Sequence, residues 1–199
     1  MRVKFVSETP NEQRGIPIFR EQGAGRAISG FISAALCWDD IQWIRSLTKM
    51  PIILKGIQSG QDAVRAALAG VTGIIVSNHG GRQLDTTPSG IAMLQEVMAE
   101  LTRYNLQDKI SVFMDGGIRR GTDIYKALAL GATGVGIGLQ LNNEGRPFLY
   151  AMAGYGQQGA EHVIDLLQDE LIMVMRLMGT PTIASINYRG VILPNVSKL

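Results

Sequence analysis

Four short segments of the chain carry side chains suited to acid–base and anion chemistry, and the first three directly close an apolar run. Lys55 stands in the first. Ser77, Asn78, His79, Gly80, Gly81 and Arg82 fill the second, Asp115, Gly116, Gly117, Ile118 and Arg119 the third, and Gly145 and Arg146 the fourth. An imidazole titrates near neutral pH, so His79 is suited to take a proton from a bound molecule. Arg82 can grip a carboxylate with its planar fork. Gly116 and Gly117 let backbone N–H groups turn toward an anion, with Arg119 or Arg146 supplying positive charge. The ammonium of Lys55 would stabilise negative charge developing beside it.

Other candidates carry plainer readings. Asp115 could equally cap the turn that follows it, and Arg120 is assigned to the surface. Asp85 reads as a loop-fixing carboxylate, and His162 falls on a helix away from every apolar-run end. Cys37, Trp38 and Trp43 read as packing residues around a helix start. No metal-ligand spacing is present, so no metal site is expected.

The elements that must position these groups follow from periodicity. Residues 41–47 place Ile41, Ile44 and Leu47 at helical spacing after Asp39 and Asp40, and Pro51 stops the helix. The run 52–54, ending in Lys55 and Gly56, reads as a strand buried on both faces. The unit then repeats: a helix over 61–69 closed by Gly70, a strand over 73–77, a helix over 91–101 and a strand over 111–115. A helix over 123–130 closed by Gly131 and a strand over 134–138 come next. A last helix, about 159–178, puts Val163, Leu166, Leu167, Leu171, Val174 and Leu177 on one broad face. This alternation means βαβ units and a parallel sheet.

Composition narrows the rest. With 199 residues, 46% hydrophobic and 18% charged, the chain should bury a core. A net charge of +2 gives no basic stripe for nucleic acid. No apolar run reaches the roughly 20 residues a membrane helix needs. Cys37, the single cysteine, excludes an intrachain disulfide. Residues 1–36 read as a mobile loop, 37–180 as the folded domain and 181–199 as a tail. Functional residues at every strand end favour a (β/α)8 barrel over a doubly wound sheet, yet four strands make only half of one.

LKG, SNHGGRQLD, DGGIRRGTD and GRPFLYA, in this order and spacing, resemble the FMN-dependent α-hydroxy-acid oxidases and dehydrogenases, the family of glycolate oxidase and the flavocytochrome lactate dehydrogenase. The likeness covers most of residues 23–180. It implies a (β/α)8 barrel whose fifth to eighth strands are those visible here. It also implies FMN as cofactor, with Lys55 and Ser77 contacting the flavin. Asp115, Gly116, Gly117, Ile118 and Arg119, with Gly145 and Arg146, would bind the ribityl chain and phosphate. His79 would be the base and Arg82 the carboxylate-binding residue of an (S)-2-hydroxy acid.

Departures from the family pattern accompany the match. Residues 139–144 intervene between the fourth strand and Gly145, which would displace Arg146 from the phosphate, and the family's first four strands are not in these 199 residues. The expected reaction oxidises a glycolate-like or lactate-like acid to the 2-oxo acid and passes the electrons to O2, giving H2O2. The alternative is a truncated, inactive fragment that at most binds FMN or a partner. Unpaired strand edges predict self-association. Ser197, Lys198 and Leu199 spell a peroxisomal address read by an import receptor, with cytoplasm or mitochondrion as the alternatives.

Overall fold

The computed structural model describes residues 35–137 and 147–191. The 139–144 segment, Gly145, Arg146 and the Ser197, Lys198, Leu199 tripeptide lie outside them. The chain divides into two compact units between Lys49 and Met50.

The described part of the first unit is helix α1 (Asp40–Leu47). Its entry is fixed by the Asp40 carboxylate, which accepts the Cys37 N–H at 2.7 Å. Ile41 is buried and Ile44 half-buried, one turn apart on the same face. Trp43 does not pack as expected. It lies two positions round the helix from Ile41 and is 61% exposed, and Cys37 is exposed as well.

The second unit is built on four parallel strands, β1 (Ile53–Ile57), β2 (Gly73–Val76), β3 (Ser111–Asp115) and β4 (Gly134–Gly136). They lie in the sheet in chain order, β1-β2-β3-β4, with no reversal. Between them come helices α2 (Gly60–Leu68), α3 (Gly90–Arg103) and α4 (Gly121–Ala129), and α5 (Pro147–Leu177) follows β4. An unbroken order with right-handed crossovers puts all the crossover helices on one side of the sheet.

Side-chain alternation confirms this. Ile74, Val76, Val112 and Met114 are buried and meet across β2 and β3 as Ile74↔Val112 and Val76↔Met114. The alternate residues face away: Ile53 and Lys55 are exposed, and Ile75, Phe113 and Asp115 are half-buried. The expectation that β1 is buried on both faces is therefore corrected. Helices cover one face only, so the strand continues through Lys55, which a doubly buried strand could not carry. On the open face Phe113 lies between Gly73 and Gly134, where an added Cβ would come within 3.5 Å and 3.4 Å of its ring.

Strand β1 departs from regular pairing near its end. Lys55 pairs with Ile75, but Ile57 rather than Gly56 pairs with Val76, so Gly56 is the extra residue of a bulge. Its φ of +95° is one that glycine adopts without strain. Ile57 consequently turns to the helix side and is buried, while Lys55 remains on the open face.

Beneath the helices the core consists of Ala63, Val64 and Ala66 from α2, Met93, Leu94, Val97 and Leu101 from α3, and Tyr125 and Ala127 from α4. Ser59 caps α2 by accepting the Asp62 N–H at 3.1 Å. Gly60 presses so near Glu100 that only a glycine fits, and its N–H donates to Glu96 at 2.9 Å. Gly70 and Gly131 follow α2 and α4 in left-handed conformation, as the sequence predicts.

The span of α5 is two helices that meet at a kink at Gly156, with φ +58° and ψ −142°, and the second of them covers the residues expected to form the last helix. Its inner stripe is narrower than expected. Val163, Leu167, Leu171 and Val174 are half-buried, but Leu166 and Leu177 are exposed, the latter at 78%. Steps of three and four residues keep the first set on one side, whereas Leu166 and Leu177 each lie off it by about a quarter turn. His162 is exposed, as expected.

Glu170 joins α5 to the start of α4. It accepts from the Arg120 guanidinium at 2.8 Å and 3.2 Å and from the Gly121 N–H at 2.8 Å. The Arg120 hydrogen bond, then the Gly121 N–H, holds the Glu170 carboxyl below its ordinary range. A carboxyl depressed in the folded state contributes stability above its unfolded pKa and loses that contribution as the pH falls through the folded value. Acidification below about pH 4.5 should therefore lower the melting midpoint of the wild type more than that of Glu170→Gln, which keeps an acceptor for Gly121 but has no charge to lose. Parallel melting curves across pH would check this, and identical acid sensitivity in the two would contradict it.

Candidate active site

Three strands deliver polar side chains to the C-terminal rim of the open face. Lys55 of β1, Ser77 just beyond β2 and Asp115 at the end of β3 meet there. The Lys55 Nζ forms an ion pair with the Asp115 Oδ2 and donates to the Ser77 Oγ at 3.3 Å. Lys55 is 45% exposed and Asp115 18%, whereas Ser77 is fully buried. The second Asp115 oxygen, Oδ1, is buried without a hydrogen-bond partner. A buried carboxylate oxygen with spare acceptor capacity is a costly group unless a donor reaches it. Asp115 thus spans the sheet to Lys55 and does not cap the turn that follows.

His79 is tied to the same cluster through its backbone. Its N–H donates to the Ser77 Oγ at 3.1 Å, so one buried oxygen receives both Lys55 and the His79 main chain. His79, Gly80 and Gly81 take φ values of +56°, +68° and +74°. A histidine in this region is uncommon and is held there by its surroundings. The imidazole is exposed, and so is Arg82. Arg82 makes no ion pair among the described residues. The Gln83 amide lies near the β1 bulge, 3.7 Å from where a Cβ of Gly56 would stand. The loop that carries His79 and Arg82 thereby returns over the end of β1, beside Lys55.

After Asp115 the chain turns through Gly116 and Gly117, at φ +83° and +78°, with open space where a Gly117 Cβ would point. Ile118 is buried and anchors the turn. The N–H groups of Arg119 and Arg120 both donate to the Asp123 carboxylate at 3.1 Å. The Arg119 N–H is thus used within the turn itself. Arg120 is exposed, in keeping with its reading as a surface charge, and pairs there with Glu170.

The pattern that defines the FMN-dependent dehydrogenases matches residues 5–192. The chain belongs to that family.

Its FMN-dependent relatives include an L-lactate dehydrogenase (cytochrome) of Wickerhamomyces anomalus, 50% identical over 90% of this chain and 30% of the relative. A peroxisomal (S)-2-hydroxyacid oxidase of Arabidopsis thaliana is 47% identical over 87% of this chain and 42% of the relative. Among solved structures, the recombinant flavin-binding domain of baker's yeast flavocytochrome b2 superposes with a TM-score of 0.75 at 46% identity. That match covers 87% of this chain and 45% of the other. The chain spans less than half the length of these relatives.

FMN is the cofactor of the family, and the rim fits it. The spare Asp115 Oδ1 matches a ribityl hydroxyl, the Gly116–Gly117 turn leaves room for a phosphorylated chain, and Lys55 and Ser77 share the face a ring would cover. Three further partners complete this arrangement. Asp123 and Glu170 brace the glycine turn from outside, and Gln83 meets the bulge. The Glu170 and Gln83 contacts depend on elements brought together by the fold, whereas Asp123 accepts from N–H groups three and four residues before it, the local spacing of a helix start.

Proposed function

We propose that these residues form the fifth to eighth strands of a (β/α)8 barrel that oxidises an (S)-2-hydroxy acid of the glycolate or lactate type to the 2-oxo acid. The observation that carries this reading is the meeting of Lys55, Ser77 and Asp115 on one open sheet face, with the His79 main chain fastened to the same Ser77 oxygen. The unreversed strand order and the match to less than half of a solved relative support the barrel assignment.

In this reading Arg82 binds the substrate carboxylate and thereby presents the hydroxyl-bearing carbon to His79. His79 takes a proton from the substrate. FMN, when bound, supplies the two-electron acceptor. Asp115, Gly116, Gly117, Ile118 and Arg119 would hold its ribityl phosphate, and the Lys55 ammonium would stabilise negative charge beside it. Gly145 and Arg146 belong to the same proposal, although they lie outside the described residues.

The substrate loses two electrons and two hydrogens, and O2 receives them as H2O2. A cytochrome is the competing acceptor, favoured by the name of the 50%-identical relative. Peroxisomal residence belongs to the oxidase version and is supported by the name of the Arabidopsis relative.

Adding FMN to the purified chain and then L-lactate or glycolate tests the reading. Retention of yellow flavin through gel filtration, followed by bleaching on addition of the acid, is the expected result. Peroxide formation then separates O2 from cytochrome c reduction. A chain that retains no flavin would leave the inactive-fragment alternative.

A further inference from the structure

We propose that Asn78 is a positioning residue that closes the loop carrying His79 and Arg82 and holds it in the form that meets substrate; the catalytic part of this inference rests on the function proposed above. The loop leaves β2 at Ser77 and rejoins the fold at Gly90, the first residue of α3. Residues 81–86, 88 and 89 are all exposed, so burial contributes little to its shape. It also holds His79 and Thr86 at φ +56° and +61°, where side-chain-bearing residues are unfavourable. Hydrogen bonds must therefore define it.

Most of those bonds are local to one arm. The His79 N–H reaches Ser77 and the Thr86 N–H reaches Asp85, each within two residues. Asn78 differs because its carboxamide works in both directions. Its Oδ1 accepts the Gly81 N–H at 3.0 Å, alongside the Asn78 main-chain carbonyl at 3.1 Å, and the two together fix the three left-handed residues in a turn. Its Nδ2 donates to the Pro88 carbonyl at 3.2 Å, ten residues on. Among the described residues this is the one hydrogen bond that joins the outgoing arm of the loop to the returning arm. Closing the mouth there restricts where His79 and Arg82 can go, without Asn78 touching substrate.

Trypsin reads the loop directly, because Arg82 is an exposed cleavage site inside it. Asn78→Ala should raise the rate of cleavage after Arg82 about tenfold, the scale expected when the bond to Pro88 is lost and the Gly81 N–H keeps only its main-chain acceptor. Asn78→Asp keeps the Gly81 acceptor but cannot donate to Pro88, so it should also be cut faster, by a smaller factor. Both variants should melt within about 3 °C of the wild type, with other tryptic sites unchanged, because the loop adds little to global stability. In the FMN-loaded protein, Asn78→Ala should raise the KM for the hydroxy acid more than it lowers kcat, since Arg82 is the group set adrift farthest from its anchor. Cleavage after Arg82 within twofold of the wild type in both variants would overturn the proposal. So would equal acceleration at every tryptic site. Should the wild type show no turnover, the function proposed above fails while the cleavage rates still decide whether Asn78 closes the loop.

Discussion

His79→Asn should retain bound FMN and lose about a thousandfold in kcat, within the range that a positioned general base contributes. The substitution is chosen for the backbone. His79 sits at φ +56°, and asparagine is among the few side-chain-bearing residues that tolerate this region. The bond from its N–H to Ser77 belongs to the main chain and survives the exchange. Lys55, Ser77 and Asp115 keep their mutual contacts, because the imidazole is exposed and hydrogen-bonds to none of them. The flavin spectrum, the binding constant for FMN and the melting midpoint should therefore match the wild type while turnover disappears. A variant that turns over within tenfold of the wild type would remove His79 from the proton-transfer step. Loss of flavin along with activity would instead show that the loop contributes to the cofactor site.

Gly121→Ala should be strongly destabilising, costing about 3 kcal/mol, the upper part of the range for overpacking a tight contact. An added Cβ would stand 2.3 Å from the Leu171 nitrogen and 2.5 Å from the Glu170 carbonyl carbon. Both are main-chain atoms of α5, so no rotamer change can make room and the helix itself must retreat. That retreat also pulls the Glu170 carboxylate from the Gly121 N–H it accepts at 2.8 Å. Gly117→Ala supplies the comparison: its φ of +78° is unfavourable for alanine, but the new methyl meets open space. It should cost about 1 kcal/mol, the backbone penalty alone. Urea unfolding midpoints of the two variants would check the ordering, and equal midpoints would show that α4 and α5 are not in rigid contact.

Much of this fold could be read from the sequence, because its signals are local. The run 111–115 is a strand in the chain as in the pattern, and Gly70 and Gly131 close the helices they follow. Reading failed where a residue's fate depends on which neighbours the fold supplies. The apolar pattern ends its strand before Lys55, because apolar runs in parallel sheets usually have helices on both faces, whereas this sheet has them on one and the strand includes Lys55. Trp43 and Leu177 are large and apolar, yet each stands off its helix's inner stripe and is exposed.

The site divides in the same way. His79, Arg82 and the Gly116–Gly117 turn announce themselves by residue type within a few positions. The Lys55–Asp115 pair, 60 positions apart, and the Arg120–Glu170 pair, 50 apart, exist only once strands and helices have been laid side by side. No window of sequence contains either.

The surplus residue at Gly56 decides more than the path of one strand. In a regular ladder, positions 55 and 57 have the same parity, and an isoleucine would project among the charged groups at the mouth of the sheet. Counting one residue twice reverses the parity beyond it, so the ammonium and the hydrocarbon that follow each other by two positions end on opposite sides. Drawing Gly56 into the ladder opposite Val76 would send the isoleucine into the polar mouth and leave a void beneath the helices, whereas deleting it would keep the isoleucine opposite Val76 on the helix side. The separation of wet from dry at this end of the molecule is thus a matter of arithmetic along the backbone, and it is as vulnerable to a change in register as to a change in residue.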